Sequence, residues 1–381
     1  MKITIAMDSF KGSCSSEQAC SAIANGIKEV FPDCHIISAP ISDGGDGFLD
    51  CLYPMLKQQG FIKDSCEVIG PYFNKVQANF LYKDNQAILE MAQCSGITLA
   101  PKGQLNGARA TTYGLGQLVD HVIKLGCNHI MIGLGGSATN DAGVGFAQAL
   151  GAKFYDQDGN LLEDILCADQ LSSIAAIDSS VLDAKLTKVT IEGTCDVNNP
   201  LCGPNGATFI FGPQKGIAAD KLATIDNRLK YFANIINSHY QCDALNVPGA
   251  GAAGGMGAAL LWFTKGKLSP GIDVVMKLLL LEEHIKDSDL VIVGEGRMDG
   301  QSLQGKAPLG VAKLAASLNV PVIALCGSIG PQSQLLYDHH IHAMFSICNG
   351  PMSLDYSMEH VKELLQSTTV NIMRLLAIKS Q

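Results

Sequence analysis

Arginine is scarce in this 381-residue chain. There are four (Arg109, Arg228, Arg297 and Arg374), and all basic residues together number 27 against 36 acidic ones, a formal net charge of −9. That balance argues against a nucleic-acid surface and against a polybasic membrane anchor. Thirteen cysteines include no CxxC pair, which removes zinc knuckles and thioredoxin-like redox motifs. Cys195 and Cys202 are a weak metal signal, and buried free thiols in a reducing compartment are the plainer reading. No complete GxGxxG or GxxxxGK[ST] stands near an expected strand, so neither the dinucleotide nor the Walker A signature is met in its strand-to-helix setting. GxSxG and HExxH are missing as well, which leaves hydrolase and zinc-peptidase readings without a motif. His339, His340 and His342 are too crowded on one short segment to face a single metal. The longest uncharged run, 244–264, is filled with Gly, Ala, Asn and Pro and reads as a glycine loop entering a helix, not a membrane span. Asp8 breaks the N-terminal apolar segment, so no signal-peptide core is expected. A cytoplasmic protein without membrane or nucleic-acid partners is the expectation.

What the chain does have is glycine, forty residues of it, above the roughly 7% of average usage. It also has 47% apolar residues, enough for a full core. The length suggests two domains.

Hydrophobic periodicity orders these residues into α/β units. KITIAM (2–7) reads as a strand, and Ser15 with Gln18 three residues on gives the capping-box start of a helix. Ala19, Ile23, Ile27 and Val30 make its apolar stripe, and Pro32 stops it. HIISA (35–39) is a second strand, and a helix follows around 48–59. After residue 63 short alternating strands turn at Lys83-Asp84-Asn85, which suggests an antiparallel or mixed element. A helix near 111–125, strands at 129–132 and 188–193, an irregular stretch over 155–180 and a helix over 217–240 come next. Strands at 289–293 and 320–327, a helix over 307–318 and one or two terminal helices over 358–378 return to α/β alternation. The expected architecture is a Rossmann-like parallel-sheet domain, discontinuous over 1–63 and 265–381. A second mixed α/β domain, 64–264, is inserted in it, with an interdomain cleft.

The glycines cluster in polar loops, mostly straight after expected strands. Asp8-Ser9-Phe10-Lys11-Gly12-Ser13 sets an acid, hydroxyls and a cation beside a helix start, where a phosphate or carboxylate fits. Asp43-Gly44-Gly45-Asp46-Gly47 carries two carboxylates for Mg²⁺ or for a polyhydroxy substrate. In the loop 133–145, Gly135, Gly136 and Ser137 offer backbone N–H groups to phosphate, and Asn140 and Asp141 can orient substrate or a metal. Asp196 follows another strand as a possible proton acceptor or metal ligand. The loops at Lys215-Gly216 and 249–257 are less informative. In 294–302, Arg297 is the one arginine flanked by a glycine loop after a buried strand, suited to bidentate binding of carboxylate or phosphate. Glu295 and Asp299 beside it can ligate Mg²⁺ or act as a base, and Lys306 is a further phosphate contact. Each acid can instead be a turn cap or an ion-pair partner. Together these groups suit phosphoryl transfer with Mg²⁺ and a nucleotide.

Seven ordered motifs resemble the bacterial-type (class I) glycerate kinase family, from Lys2 to about residue 370: DSFKGS (8–13), SDGGDG (42–47), GLGGSATNDAGVG (133–145), EGTCDVNNPLCGPNGAT (192–208), FGPQKG (211–216), GAGAAGGMGAAL (249–260) and GEGRMDGQSLQGK (294–306). Asp46 stands where many relatives have Glu, and Met7 where their first strand often ends in Pro. The resemblance implies a two-domain α/β enzyme that uses ATP and Mg²⁺ to phosphorylate D-glycerate, giving 2-phosphoglycerate, with closure excluding water. Asp8, Ser9, Asn140 and Asp141 are then expected at the substrate. Gly135, Gly136, Ser137 and Lys306 are expected at the nucleotide phosphates, and Asp43, Asp46 and Glu295 at the metal. Arg297 or Lys11 would hold the carboxylate, with Asp196 as the base and Asp299 its rival. A non-catalytic sensor of small hydroxy acids and a kinase of another hydroxy acid are the alternatives. The oligomeric state is left open.

Overall fold

The computed structural model describes residues 1–42, 45, 47–101, 103–304 and 307–378, the side chains at 301 and 304 excepted. The chain divides into two compact units, Met1–Asp43 with Asp50–Gln59 and Pro270–Gln381, and Gly44–Leu49 with Gly60–Ser269.

The first unit is built on a five-stranded sheet. Its order is Ala343–Ser346, Val322–Cys326, Leu290–Gly294, Lys2–Met7 and His35–Ser38, and every neighbouring pair is parallel. Near-continuous apolar runs such as Leu290–Gly294, buried at every residue, are what a sheet covered on both faces requires. The first helix, Ser16–Val30, starts as its sequence says. The Ser15 hydroxyl accepts from the Gln18 N–H at 3.2 Å, and the Ser15 N–H donates to the Gln18 side-chain carbonyl at 3.1 Å. Ala19, Ile23 and Ile27 bury its stripe in a core shared with Leu364, Leu365 and Met373 of the terminal helix Val361–Ile378.

The second unit carries a six-stranded mixed sheet in the order Lys267–Ser269, Thr190–Thr194, His129–Gly133, Gln86–Glu90, Lys75–Lys83 and Ile62–Ile69. The first four run parallel and the last two are antiparallel additions. The parallel strands end in step, with Glu90 opposite Gly133 and Gly133 opposite Thr194. Its core includes Phe80, Phe146, Phe154, Phe232 and Trp262, the chain's single tryptophan.

Local differences from the sequence expectations have plain causes. The stretch 155–180 is less irregular than its polarity suggests. It pairs Lys153–Tyr155 with Ala176–Asp178 and makes a 3₁₀ turn at Ala168–Ser173. The helix expected over 217–240 starts only at Leu222, after a separate 3₁₀ turn at Ala219–Lys221. The edge strands Lys267–Ser269 and Ala343–Ser346 escape the pattern, being three and four residues long and half-exposed.

Candidate active site

In the first unit the chemistry gathers beyond the C-terminal ends of the parallel strands. The Asp8 N–H donates to the Gly294 carbonyl at 2.9 Å, so the loop leaving Lys2–Met7 is tied to the neighbouring strand's end. One Asp8 carboxylate oxygen accepts from the Ser9 N–H at 2.6 Å. The loop then tightens through Ser13 N–H to Phe10 C=O at 2.8 Å, with Gly12 at φ +76°, a conformation open to glycine. On the adjacent strand's loop, buried Glu295 accepts from the Ser302 hydroxyl at 2.6 Å. The Arg297 Nε donates to Asp299 Oδ2 at 2.9 Å while the Arg297 side chain stays 62% exposed. A cavity of about 610 Å³ opens here, with Asp8, Ser9, Lys11, Glu295 and Arg297 among its lining residues. Two carboxylates, an ammonium and a guanidinium brought from positions almost 290 apart in sequence thus share one space.

In the second unit the glycine loop after His129–Gly133 is organised from within. Ser137, Thr139, Asn140 and Asp141 are all buried. Asp141 accepts from the Thr112 N–H (2.9 Å) and hydroxyl (2.8 Å), and from the N–H groups of Gly143 and Gly145 at the start of helix Val144–Ala149. Burial pushes its carboxyl up against the lowering effect of those donors. The Asn140 amide donates to the Thr208 hydroxyl at 2.9 Å. The substrate contacts expected of Asn140 and Asp141 are thus placed on side chains that the fold uses internally. Gly135 and Gly136 are half-buried at the loop's start. Asp196, two residues past the C-terminal end of strand Thr190–Thr194, is exposed.

Two groups in this unit were passed over in the sequence. Lys215 is 2% exposed, and its ammonium donates to the Ser137 hydroxyl and to the Thr139 carbonyl, both at 2.8 Å. Burial draws its pKa down to about 7, against the opposing charge of Asp141. Around it, Thr139 Oγ1 and Asn140 Oδ1 are buried without a hydrogen-bond partner among the described residues. Glu90, 1% exposed at the end of its strand, accepts from the N–H groups of Gly47 (2.9 Å) and Leu49 (3.1 Å). The one cue for Lys215 was a cation set between glycines in GPQKG. For Glu90 it was an acid closing an apolar strand. The 249–257 loop also has a definite task. Gly254, at φ +70°, lies so close that a Cβ there would sit 2.0 Å from the Thr139 carbonyl oxygen.

Asp43, Asp46 and Lys306 lie outside the described residues. Among the described residues no three His, Cys, Asp or Glu side chains cluster as a metal cage. Asp8 and Glu295 on one cavity suit Mg²⁺, which takes one or two carboxylates and completes its shell with water and phosphate. All thirteen cysteines are free and none is exposed, and burial pushes the Cys20 and Cys94 thiols up to about 12. Among the described residues no helix is long and apolar enough to cross a membrane.

Acids, cations and glycine loops beyond the ends of parallel strands define an α/β protein that handles small anions. The chain belongs to the glycerate kinase family, whose model matches residues 3–377. It is 42% identical to the glycerate 2-kinase of Escherichia coli over 99% of this chain and 98% of that protein. It is 40% identical to the glycerate kinase of Bacillus cereus over 100% and 99%. A crystal structure of a putative glycerate kinase 2 from Salmonella typhimurium matches with a TM-score of 0.87 at 39% identity, covering 100% of this chain and 99% of that one.

Proposed function

We propose that this protein is an ATP- and Mg²⁺-dependent kinase that phosphorylates the 2-hydroxyl of D-glycerate to give 2-phosphoglycerate. The observation that carries the reading is the first-unit cavity, where Asp8, Lys11, Glu295 and Arg297 meet from both ends of the chain. Arg297 or Lys11 holds the glycerate carboxylate. Arg297 is pre-oriented for that, since Asp299 takes one of its donors and leaves the rest of the planar fork.

The hydroxyl oxygen of glycerate attacks the γ-phosphorus, the bond to the β,γ-bridging oxygen breaks, ADP leaves, and a carboxylate takes the hydroxyl proton. Asp196 is our first choice for that base, because it is an exposed acid at a strand end. Asp299 is its rival. Mg²⁺ neutralises charge on the β- and γ-phosphate oxygens when bound. Glu295 would hold it with Asp43 and Asp46, and Asp8, on the same cavity as Glu295, would serve as a further ligand. The Gly135–Ser137 segment and Lys306 contribute phosphate contacts. Thirteen free thiols, none exposed, support a reducing cytoplasmic setting.

The test is to incubate the protein with ATP, Mg²⁺ and a panel of D- and L-hydroxy acids and identify products by ³¹P NMR. A 2-phospho signal from D-glycerate is expected. Binding without turnover would make it a sensor, and preferred turnover of another acid would make it a different kinase.

A further inference from the structure

Resting on the kinase reading above, we infer that the first-unit cavity takes the nucleoside end of ATP, with the base against its apolar wall and the phosphates running toward Asp8, Glu295 and the metal these carboxylates would hold. Size is the first argument. At about 30 Å³ per water-sized group, the seven non-hydrogen atoms of glycerate need at most about 200 Å³. The cavity is about 610 Å³, within the range of sites for larger ligands.

Chemistry is the second argument. One side of the cavity is formed by Phe10, Ile347, Met352, Leu354, Met358 and Val361. Glycerate has an oxygen on each of its three carbons and offers such a wall nothing to bury. A purine face does, and methionine thioethers adapt well to aromatic surfaces. Leu354 is 72% exposed at this wall, an apolar side chain left uncovered by the protein itself.

Topology is the third argument. From Lys2–Met7 the chain goes to His35–Ser38 on one side, and from Leu290–Gly294 to Val322–Cys326 on the other. The crevice beyond these two central strands is therefore the switch point where open α/β sheets take their ligands. Its polar end is made by the loops leaving those two strands, and its apolar end by the segment after Ala343–Ser346. A nucleotide laid along it carries its phosphates to the Asp8 and Glu295 carboxylates, and so to the metal they would hold.

The test uses the full-length protein and isothermal titration calorimetry with Mg²⁺-ADP, with Mg²⁺-tripolyphosphate as the control lacking a nucleoside. Leu354→Glu and Met358→Glu should each weaken ADP binding about tenfold or more, from lost apolar burial and an added negative charge. Tripolyphosphate binding should shift far less, and Leu354→Met should retain ADP affinity. Because Leu354 is exposed, its variants do not test folding. An active wild type whose ADP affinity is unmoved by either glutamate overturns this inference and leaves the kinase reading standing. Glutamates that raise the KM for glycerate while sparing ADP do the same. A wild type that neither binds ADP nor turns over glycerate overturns both.

Discussion

Lys215→Met is the most informative single change, because structure sets both its sign and its size. The lysine is buried with a pKa of about 7, against an ordinary 10.5. A base whose folded pKa lies below its unfolded one gives up a proton on folding between the two values. Its contribution therefore rises with pH from about 7 to 10.5 and is lost as pH falls toward 7. The limiting slope is about 1.4 kcal/mol per pH unit, so from half-titration at pH 7 the gain by pH 8 is about 1 kcal/mol.

The buried thiols work the other way. Held near 12 in Cys20 and Cys94 against an ordinary 9.0, they favour the fold at low pH and lose that contribution progressively as pH rises from 9 toward 12. Both proteins carry those thiols, so the difference between wild type and Lys215→Met isolates the lysine. Relative to the variant, wild type should gain about 1 kcal/mol between pH 7 and pH 8. On top of this, the variant leaves the Ser137 hydroxyl and Thr139 carbonyl without their donor. That costs about 1–3 kcal/mol, partly offset by no longer burying an ammonium. The measurement is urea unfolding at the two pH values followed by the fluorescence of Trp262, which is buried in the same unit. A wild-type-minus-variant difference that stays flat between pH 7 and 8 would refute the account of a lysine desolvated beneath this loop.

Three further outcomes are expected. Asp196→Asn should cut kcat by about a hundredfold or more with little change in the KM for glycerate, and an unchanged kcat would move the base to Asp299. Arg297→Lys keeps the charge but loses the planar fork, so it should raise the KM for glycerate about tenfold, read in steady-state kinetics at saturating ATP. Gly254→Ala places a methyl 2.0 Å from the Thr139 carbonyl oxygen at φ +70°, and should destabilise the second unit by about 2–4 kcal/mol in the Trp262 transition.

Short-range chemistry was readable in the sequence, and long-range company was not. The capping box at Ser15 and Gln18, the buried strand expected at 289–293 and found at Leu290–Gly294, and the polar loops behind the strands all depend on neighbours within a few residues. The short edge strand Ala343–Ser346 stayed hidden because its identity comes from pairing with Val322–Cys326. Lys215 stayed hidden for the same kind of reason. What matters about it is that residues 137 and 139, almost eighty positions away, fold over it. The glycines of 249–257 declared close approach but not to what, and the answer is the backbone of the other glycine loop. Asp141 illustrates the converse. Its place in a loop after a strand pointed outward to a ligand, yet the amides that start the next helix turn it inward.

The strand Lys2–Met7 lies inside its sheet, between His35–Ser38 and Leu290–Gly294, with Ile3 opposite Leu290. This strand thus has one of its two partners only after some 290 residues have followed it. At about 5–20 residues per second, that wait on the ribosome is on the order of 15–60 s. Within it the contiguous stretch Gly60–Ser269 is already complete. Synthesis therefore offers the second unit its full set of partners first, while an apolar strand with an unpaired edge stands exposed. Chaperone demand during expression should then fall on the N-terminal segment, and a circular permutant that begins after residue 269 should shorten that exposure.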